Sequence, residues 1–126
     1  RLTQGSDVLG RPPHRELISR AYNLVIRAMF RTGFRDAQCG FKAIARRAAN
    51  QLIPLVKDQA WFFDSELLIL AEKNGYKIKE IPVTWRDDPD SRVRLISTSY
   101  NDLKGLLRLR LGGLRNASKL LSTRSP

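Results

Sequence analysis

The side chains that could take part in chemistry are concentrated in two short stretches, residues 36–42 and residues 64–66. The first, which we call the central segment, reads Asp-Ala-Gln-Cys-Gly-Phe-Lys and combines a carboxylate, an amide and an amine around a glycine. Glycine lets a backbone or a ligand approach closely. A turn that leads into a helix explains the central segment equally well, so its residues alone leave both interpretations open.

The second stretch brings Asp64 and Glu66 directly after the aromatic run Trp-Phe-Phe. Two carboxylates at the start of a helix have two common uses. Either Asp64 caps the helix while Glu66 complements its dipole, or both acids face a cleft. The spacing alone does not choose between them.

The net charge restricts the class of partner. The 126 residues include 23 Lys and Arg against 12 Asp and Glu, which gives a net charge of +11. This excess predicts an anionic partner, such as a nucleic acid, anionic lipid headgroups or a phosphorylated metabolite. One Cys and one His exclude a disulfide framework and a zinc site built from this chain alone.

Hydrophobic periodicity predicts the elements that position these residues. Helices are predicted over residues 14–32, 43–52 and 64–74 and from Ser97 onward, a strand over 76–85, and a loop over 1–13. Arg20 lies beside the apolar stripe of the first helix. The sequence has no run of about 18 apolar residues that would span a bilayer, and no signal peptide. Because the chain begins with Arg-Leu-Thr-Gln, we expect it to be a piece of a longer protein.

The last predicted helix is rich in leucine and basic residues, with Asp102 as its only acid. Such a helix either packs on its own domain or lies in a membrane interface. We favour the interface, because each Lys or Arg gains about 1 kcal/mol near an anionic surface.

Taken in order, several motifs form a pattern. They are Arg1, Ser19-Arg20 with Asn23, Asp36-x-Gln-Cys-Gly-Phe-Lys42, Trp61-x-Phe-Asp-x-Glu-Leu-Leu68, Glu80-Ile-Pro-Val-x-Trp85 and Ser91-Arg92. This set resembles the family 2 glycosyltransferases, in particular the dolichyl- or polyprenyl-phosphate sugar synthases of the dolichyl-phosphate β-glucosyltransferase type. The resemblance implies an α/β chain that is the C-terminal, acceptor-side part of a Rossmann-like GT-A domain. Residues 1–94 would form that half, and residues 95–126 a basic amphipathic helix and tail.

The resemblance also implies a reaction, the inverting transfer of glucose or mannose from a UDP- or GDP-sugar to dolichyl or polyprenyl phosphate. An acceptor phosphate is already anionic, so it needs positioning and charge neutralisation more than a general base. Arginine meets phosphate oxygens with two parallel hydrogen bonds. By resemblance, Arg1, Arg20 and Arg92 are expected to hold the lipid phosphate.

The remaining site residues follow from the same resemblance. Asp64 matches the acidic residue that faces the acceptor in related enzymes, and Glu66 shares that catalytic role. The other residues expected to contact or shape the acceptor site are Asp36, Gln38, Lys42 and Trp61. Of these, Trp61 is either a stacking platform for a sugar or a core residue.

The donor side is expected elsewhere. The Asp-x-Asp motif that holds Mg²⁺ or Mn²⁺ in the family should lie upstream of residue 1, because Asp88-Pro-Asp90 follows the last strand in a polar turn. We therefore expect this piece to be inactive by itself. The expected location is the cytoplasmic face of an anionic membrane, where the fragment is peripheral.

Two other functions compete with a transferase. A small basic module that binds nucleic acid or anionic lipid without catalysis would explain the charge equally well. However, aromatic and basic residues do not alternate on a strand, and no recognition-helix pattern is present, so nucleic acid is not expected as a partner. A purely structural amphipathic anchor would leave the ordered acidic motifs and the central segment unexplained.

Overall fold

The structure is a computed structural model that describes residues 4–86, 95–113 and 115. It is rich in helix with a small parallel sheet. The elements are β1 (Asp7–Leu9), α1 (Pro13–Phe30), α2 (Arg46–Leu52), a 3-10 turn (Ile53–Leu55), α3 (Phe63–Lys73), β2 (Thr84–Arg86), α4 (Leu95–Arg108) and a π turn (Leu109–Gly113). The four helices agree with the prediction, whereas the GT-A fold itself stays a prediction, because two short strands do not define it.

The two strands differ from the sequence prediction. β1 pairs in parallel with β2, so that Val8 lies opposite Trp85, although residues 1–13 were predicted to be a loop. The predicted strand 76–85 is wrong for most of its length, since only its last two residues belong to β2. Alternation of apolar and polar side chains gives no strand without a partner backbone, and the ladder between the described strands covers only Thr84–Arg86. Pro82 also lacks the N–H that a sheet requires.

Helix α1 carries apolar side chains on two faces. Ser19, Asn23, Ile26 and Phe30 are buried against the rest of the chain. Tyr22 lies partly buried beside them, and its hydroxyl donates to Ser65 Oγ of α3 over 2.9 Å. Its burial raises the pKa of the Tyr22 phenol. The helix starts with Pro13 at its first position, where a missing N–H costs nothing. It ends at Arg31, which has a left-handed φ of 53°.

Helix α3 forms the centre of the hydrophobic core. Ile69 and Leu70 are fully buried, and Phe62, at the residue before the helix, is 1% exposed. The core also includes Ile26 of α1 and Leu52 of α2. Because the N-cap is Phe62 and makes no side-chain cap bond, the interpretation of Asp64 as the N-cap is wrong. Asp64 lies inside the first turn instead.

Helix α4 packs closely on the start of α3. A Cβ atom placed on Gly105 would lie only 2.4 Å from Cδ1 of Phe62, so a glycine is needed at this point of approach. Leu106 and Leu109 are buried on the same side, whereas Leu103, Leu107 and Leu111 are exposed. In the part of the chain that the structure describes, no helix is both long enough and apolar enough to cross a membrane.

Candidate functional site

The structure brings the central segment onto the first turn of α3. Lys42 Nζ lies 3.6 Å from Asp64 Oδ1, and the Lys42 side chain is 22% exposed. The same ammonium donates to the backbone carbonyl of Cys39. Burial lowers the pKa of Lys42, while the negative charges of Asp64 and Asp36 oppose that shift. Two residues predicted for the site from separate motifs therefore form one cation–carboxylate pair.

The backbone of the central segment is fixed by two side chains from other elements. Glu80 Oε1 accepts from the backbone N–H of Arg35 at 2.5 Å and of Asp36 at 3.3 Å. Asn23 Oδ1 accepts from the backbone N–H of Ala37 at 2.8 Å. Asp36 itself is 8% exposed. The prediction that Asp36 shapes this segment stays a prediction, whereas Glu80 is an anchor that the sequence did not identify.

Gln38 connects the central segment to α4. Its side-chain amide donates to Asp102 Oδ2 over 2.7 Å. Asp102 is 2% exposed, and its other carboxylate oxygen has no hydrogen-bond partner among the described residues. Burial raises the pKa of Asp102 to about 6, the hydrogen bond from Gln38 opposes this rise, and the charge of Asp58 adds to it. One feature of the sequence distinguishes Asp102, since it is the single acid of a basic predicted helix.

Glu66 lies at the junction of three segments. The carboxylate is 1% exposed and accepts from the backbone N–H groups of Lys57 at 3.2 Å and Asp58 at 3.0 Å. Arg108 of α4 donates to both of its oxygens, and this contact raises the pKa of Arg108. Four donors occupy the acceptor positions of this carboxylate. Its catalytic role stays a prediction; its contacts are those of an anchor.

Arg20 lies at a different place, in a cleft of about 680 Å³. The cleft is lined by residues of the N-terminal segment, of the first turns of α1 and by Arg35. Arg20 Nε donates to Glu16 Oε1 over 2.6 Å, and Arg11 Nη1 lies 3.3 Å from Glu16 Oε2. Glu16 thus holds two guanidinium groups at the cleft. Neither Arg11 nor Glu16 was identified from the sequence, because each belongs to a stretch that reads as an ordinary loop or helix start.

The cleft and the Lys42–Asp64 pair share no residue within the described part of the chain. The structure therefore shows two groups of candidate site residues, the arginines of the cleft and the partly buried Lys42–Asp64 pair. The two other arginines predicted to bind phosphate, Arg1 and Arg92, lie outside the described residues.

Trp61 lies on the surface. Its side chain is 62% exposed, so the alternative that it packs in the core is wrong, and its role as a stacking platform stays a prediction. Phe62, the next residue, fills the core position instead. Phe41 of the central segment is even more exposed, at 81%. Phe41 directly precedes Lys42 and Trp61 lies three positions before Asp64, so each member of the pair has an exposed aromatic side chain close to it in the sequence.

No metal site is present among the described residues, where no group of three or more His, Cys, Asp or Glu side chains could hold an ion. The carboxylates of Asp64, Asp102 and Glu66 contact Lys42, Gln38 and Arg108 respectively.

Comparison with known proteins gives several relatives. The chain is 43% identical over 89 residues to glycosyltransferase AglD of Haloferax volcanii, a match that covers 71% of this chain and 14% of the relative. It is 33% identical over 110 residues to the dolichyl-phosphate β-glucosyltransferase of Homo sapiens, a match that covers 87% of this chain and 34% of the relative. The Saccharomyces cerevisiae protein of the same name is 36% identical over 80 residues, and this match covers 64% of this chain and 24% of the relative.

The chain therefore spans between about a seventh and a third of the length of these curated relatives. No protein-family model and no solved structure matches it.

Proposed function

Because the chain is a segment of the family 2 glycosyltransferases of the dolichyl-phosphate type, we propose that the protein transfers glucose from a nucleotide-sugar to dolichyl or polyprenyl phosphate. The observation that carries this proposal is the similarity, at 33–36% identity, to proteins named dolichyl-phosphate β-glucosyltransferase. The structure adds two sites that suit the parts of such a reaction. Mannose is the second sugar to test.

The arginine cleft suits the acceptor phosphate. A phosphate monoester carries between one and two negative charges at neutral pH, and a guanidinium group donates two parallel hydrogen bonds to its oxygens. Glu16 uses only the Nε donor of Arg20 in its 2.6 Å contact. In this proposal the terminal nitrogens of Arg20 bind the phosphate, Arg11 neutralises the second charge, and Glu16 positions both arginines.

The Lys42–Asp64 pair suits the sugar end of the reaction. A phosphate oxygen of the acceptor attacks the anomeric carbon, the new C–O bond forms, and the bond to the nucleotide diphosphate breaks with inversion. No proton has to leave the attacking oxygen. Asp64 then positions the sugar and stabilises positive charge at the anomeric carbon, while Lys42 orients Asp64 over their 3.6 Å contact.

The donor side of the proposal needs residues outside the described part. A UDP- or GDP-hexose with Mg²⁺ or Mn²⁺ is the expected donor, and the described residues offer no group of three or more ligands for such an ion. Residues upstream of Arg1 are therefore proposed to hold the metal and the nucleotide.

Helix α4 suits a peripheral position on an anionic membrane. Leu103 and Leu107 of α4 and Leu111 of the π turn after it follow one another at intervals of four, and they are 47%, 54% and 84% exposed. Lys104 and Arg110 are exposed beside them. A helix with an exposed apolar ridge and basic neighbours lies flat at the headgroup level. We assign this surface to the cytoplasmic face, where the proposed donor is available.

The experiment is a transfer assay on the full-length protein that contains this segment. Labelled UDP-glucose or GDP-mannose is incubated with Mg²⁺ and a short polyprenyl phosphate, and labelled lipid is measured. We expect Arg20→Ala to raise the KM for the lipid phosphate at least tenfold, about the 1.4 kcal/mol of one charged hydrogen bond. Arg46→Ala, at an exposed position at the start of α2, is the matched control and should leave the KM unchanged.

Two outcomes would contradict different parts of the proposal. Transfer with an unchanged KM for Arg20→Ala would retain the enzyme and discard the cleft as the phosphate site. No transfer with either donor, together with tight binding of nucleic acid, would replace the transferase by the basic binding module.

A further inference from the structure

Asp102 is a buried acid whose position the proposed function does not explain. It lies in α4 and is 2% exposed. One of its carboxylate oxygens accepts from the side-chain amide of Gln38, and the other has no hydrogen-bond partner among the described residues. A buried carboxylate with an unfilled acceptor position lowers stability, so packing does not account for its presence.

The contact with Asp102 fixes which end of the Gln38 amide faces α4. An ionised carboxylate has only acceptors, whereas an amide has a donor end, the nitrogen, and an acceptor end, the oxygen. Gln38 Nε2 therefore faces Asp102 over 2.7 Å, and Gln38 Oε1 lies at the other end of the same planar group. Gln38 is partly buried, but its Oε1 is not among the described polar atoms that are buried without a partner. The carbonyl end of the amide is therefore accessible to a ligand.

The Gln38 amide belongs to the same part of the central segment as the Lys42–Asp64 pair. The Lys42 ammonium lies 3.6 Å from Asp64 Oδ1 and also donates to the backbone carbonyl of Cys39. Because Cys39 directly follows Gln38, the lysine side chain folds back onto the residue next to the amide. Gln38 thus neighbours the pair through Cys39.

We propose that Asp102 is a positioning residue that orients the Gln38 carbonyl oxygen toward the ligand, where this oxygen accepts a hydrogen bond from a hydroxyl group of the transferred hexose. The identity of the ligand rests on the proposed function, whereas the positioning of Gln38 does not. An ionised phosphate offers acceptors, and a carbonyl oxygen gives it no donor. The central segment therefore binds the sugar, while the arginines of the cleft bind the phosphate.

The orientation of the amide depends on the charge of Asp102. Burial and the charge of Asp58 raise the pKa of Asp102 to about 6, and the hydrogen bond from Gln38 opposes this rise. Tyr22 of α1 also faces Asp102, and burial raises its pKa, so that it stays neutral. Above a pH of about 6 the carboxylate only accepts. Below it the protonated acid also donates, so the amide can adopt either orientation and its accessible end is no longer always an acceptor.

The first test asks whether Gln38 binds a hydroxyl group of the sugar. The full-length protein is given Mg²⁺, a short polyprenyl phosphate and either the nucleotide-sugar that supports transfer or analogues that each lack one hydroxyl of the hexose. For the wild type we expect kcat/KM to fall at least about tenfold with one analogue. Gln38→Met should lose a similar factor with the intact sugar, and less than about twofold more when that hydroxyl is also absent.

Gln59→Met is the matched control, because Gln59 is exposed in the loop before α3. It should retain the kcat/KM of the wild type and the same discrimination between the intact sugar and the analogue. If Gln38→Met instead loses the same further factor as the wild type with every analogue, Gln38 binds no hydroxyl group and the proposal is overturned.

Asp102→Asn tests the positioning. Asparagine both donates and accepts, so it binds the Gln38 amide in either orientation. The ratio of kcat/KM between the intact sugar and the analogue should therefore fall to about threefold or less. A purely structural loss would lower kcat/KM for both donors and leave this ratio unchanged.

The pH dependence of the same ratio separates Asp102 from other groups. Ionisation of the acceptor phosphate affects both donors equally and cancels in the ratio. In the wild type the ratio should fall as the pH falls through about 6, and in Asp102→Asn it should stay constant. A wild-type ratio that does not depend on pH would overturn the role of Asp102.

Nuclear magnetic resonance of the 126-residue chain measures the orientation without any transfer reaction. The signal of the Gln38 side-chain amide is identified by its loss in Gln38→Met. At neutral pH the amide hydrogens should show nuclear Overhauser contacts to the β hydrogens of Asp102, and these contacts should weaken as the pH falls through about 6. Absence of the contacts at neutral pH would overturn the positioning. Circular dichroism of every variant checks that the helices are retained.

These outcomes separate the inference from the proposed function. Transfer of sugar with no hydroxyl group bound by Gln38 would overturn only the inference. An oriented Gln38 amide in a full-length protein that transfers no sugar with either donor would overturn the proposed function and the hexose as ligand, and would support the positioning by Asp102.

Discussion

Arg108 donates two parallel hydrogen bonds to the carboxylate of Glu66, from Nη1 at 3.0 Å and from Nη2 at 2.9 Å, across 42 positions of the chain. This pair connects α4 to the first turn of α3, two residues after Asp64. Because Glu66 also accepts from the backbone of Lys57 and Asp58, one carboxylate fixes three segments. The sequence predicts residues 1–94 as the acceptor-side half and residues 95–126 as a basic helix and tail. The Arg108–Glu66 ion pair joins these two parts.

Removal of the guanidinium group should be costly for folding. Arg108→Met leaves the Glu66 carboxylate, which is 1% exposed, without its cation and with two unfilled acceptor positions. The expected loss is about 3 kcal/mol in the free energy of unfolding, as for other buried carboxylates deprived of a partner. Urea denaturation, monitored by circular dichroism, measures this loss of stability.

Arg110→Met is the matched control, since Arg110 lies two residues further on and is exposed. It removes the same charge and should change the free energy of unfolding by less than about 0.5 kcal/mol. Equal effects of both variants would mean that net charge, and not the ion pair, stabilises α4.

Gly105 gives a second prediction, about packing. A Cβ at this position would lie 2.4 Å from Phe62 Cδ1, and Phe62 is fixed in the core, so Gly105→Ala must push α4 away from α3. The expected loss of stability is about 1–3 kcal/mol, although alanine favours helix more than glycine does. Gly40→Ala is the control, because a Cβ there meets nothing within 4 Å. A stabilised Gly105→Ala variant would show that α4 does not pack as described.

Asp102 gives a prediction about pH. Its pKa of about 6 in the folded chain lies above its ordinary value of 3.8. The folded state therefore binds the proton more tightly than the unfolded state does, and stability falls as the pH rises from about 4 to about 6. Above that range the ionised, buried carboxylate costs up to about 3 kcal/mol.

Asp102→Asn tests this expectation, because asparagine retains an acceptor for Gln38 and carries no charge. The variant should be more stable than the wild type at pH 7, and the difference should decrease as the pH falls to 4. Unfolding free energies at a series of pH values measure it. A difference that does not depend on pH would contradict the assignment of the shift to Asp102.

The helices could be predicted from the sequence because their evidence is local. The apolar spacing of α1 and the acidic start and Asn-Gly end of α3 lie within each helix. The sheet could not be predicted in the same way, because β1 and β2 are three residues each and are joined by a pairing of Asp7 with Thr84. That pairing is a contact across most of the chain, and no window of sequence contains it.

The candidate site could be predicted only where its residues belong to local motifs. Asp64 and Lys42 were identified from their motifs, and the structure brings them together. Asp102, Arg108 and Glu80 were missed, since each acts on a segment more than 40 positions away. The two faces of α1 were also missed, because a periodic pattern does not tell a buried stripe from an exposed one.

The anchors of the central segment lie on both sides of it in the chain, and this fixes an order of events during synthesis. Asn23 leaves the ribosome before the segment does, whereas Asp102 follows Gln38 by 64 positions. At about 5–20 residues per second, that interval lasts about 3–13 seconds. Asp64 and Glu80 are synthesised within this interval, so the central segment gains its contacts one after another and completes them only when Asp102 has been made.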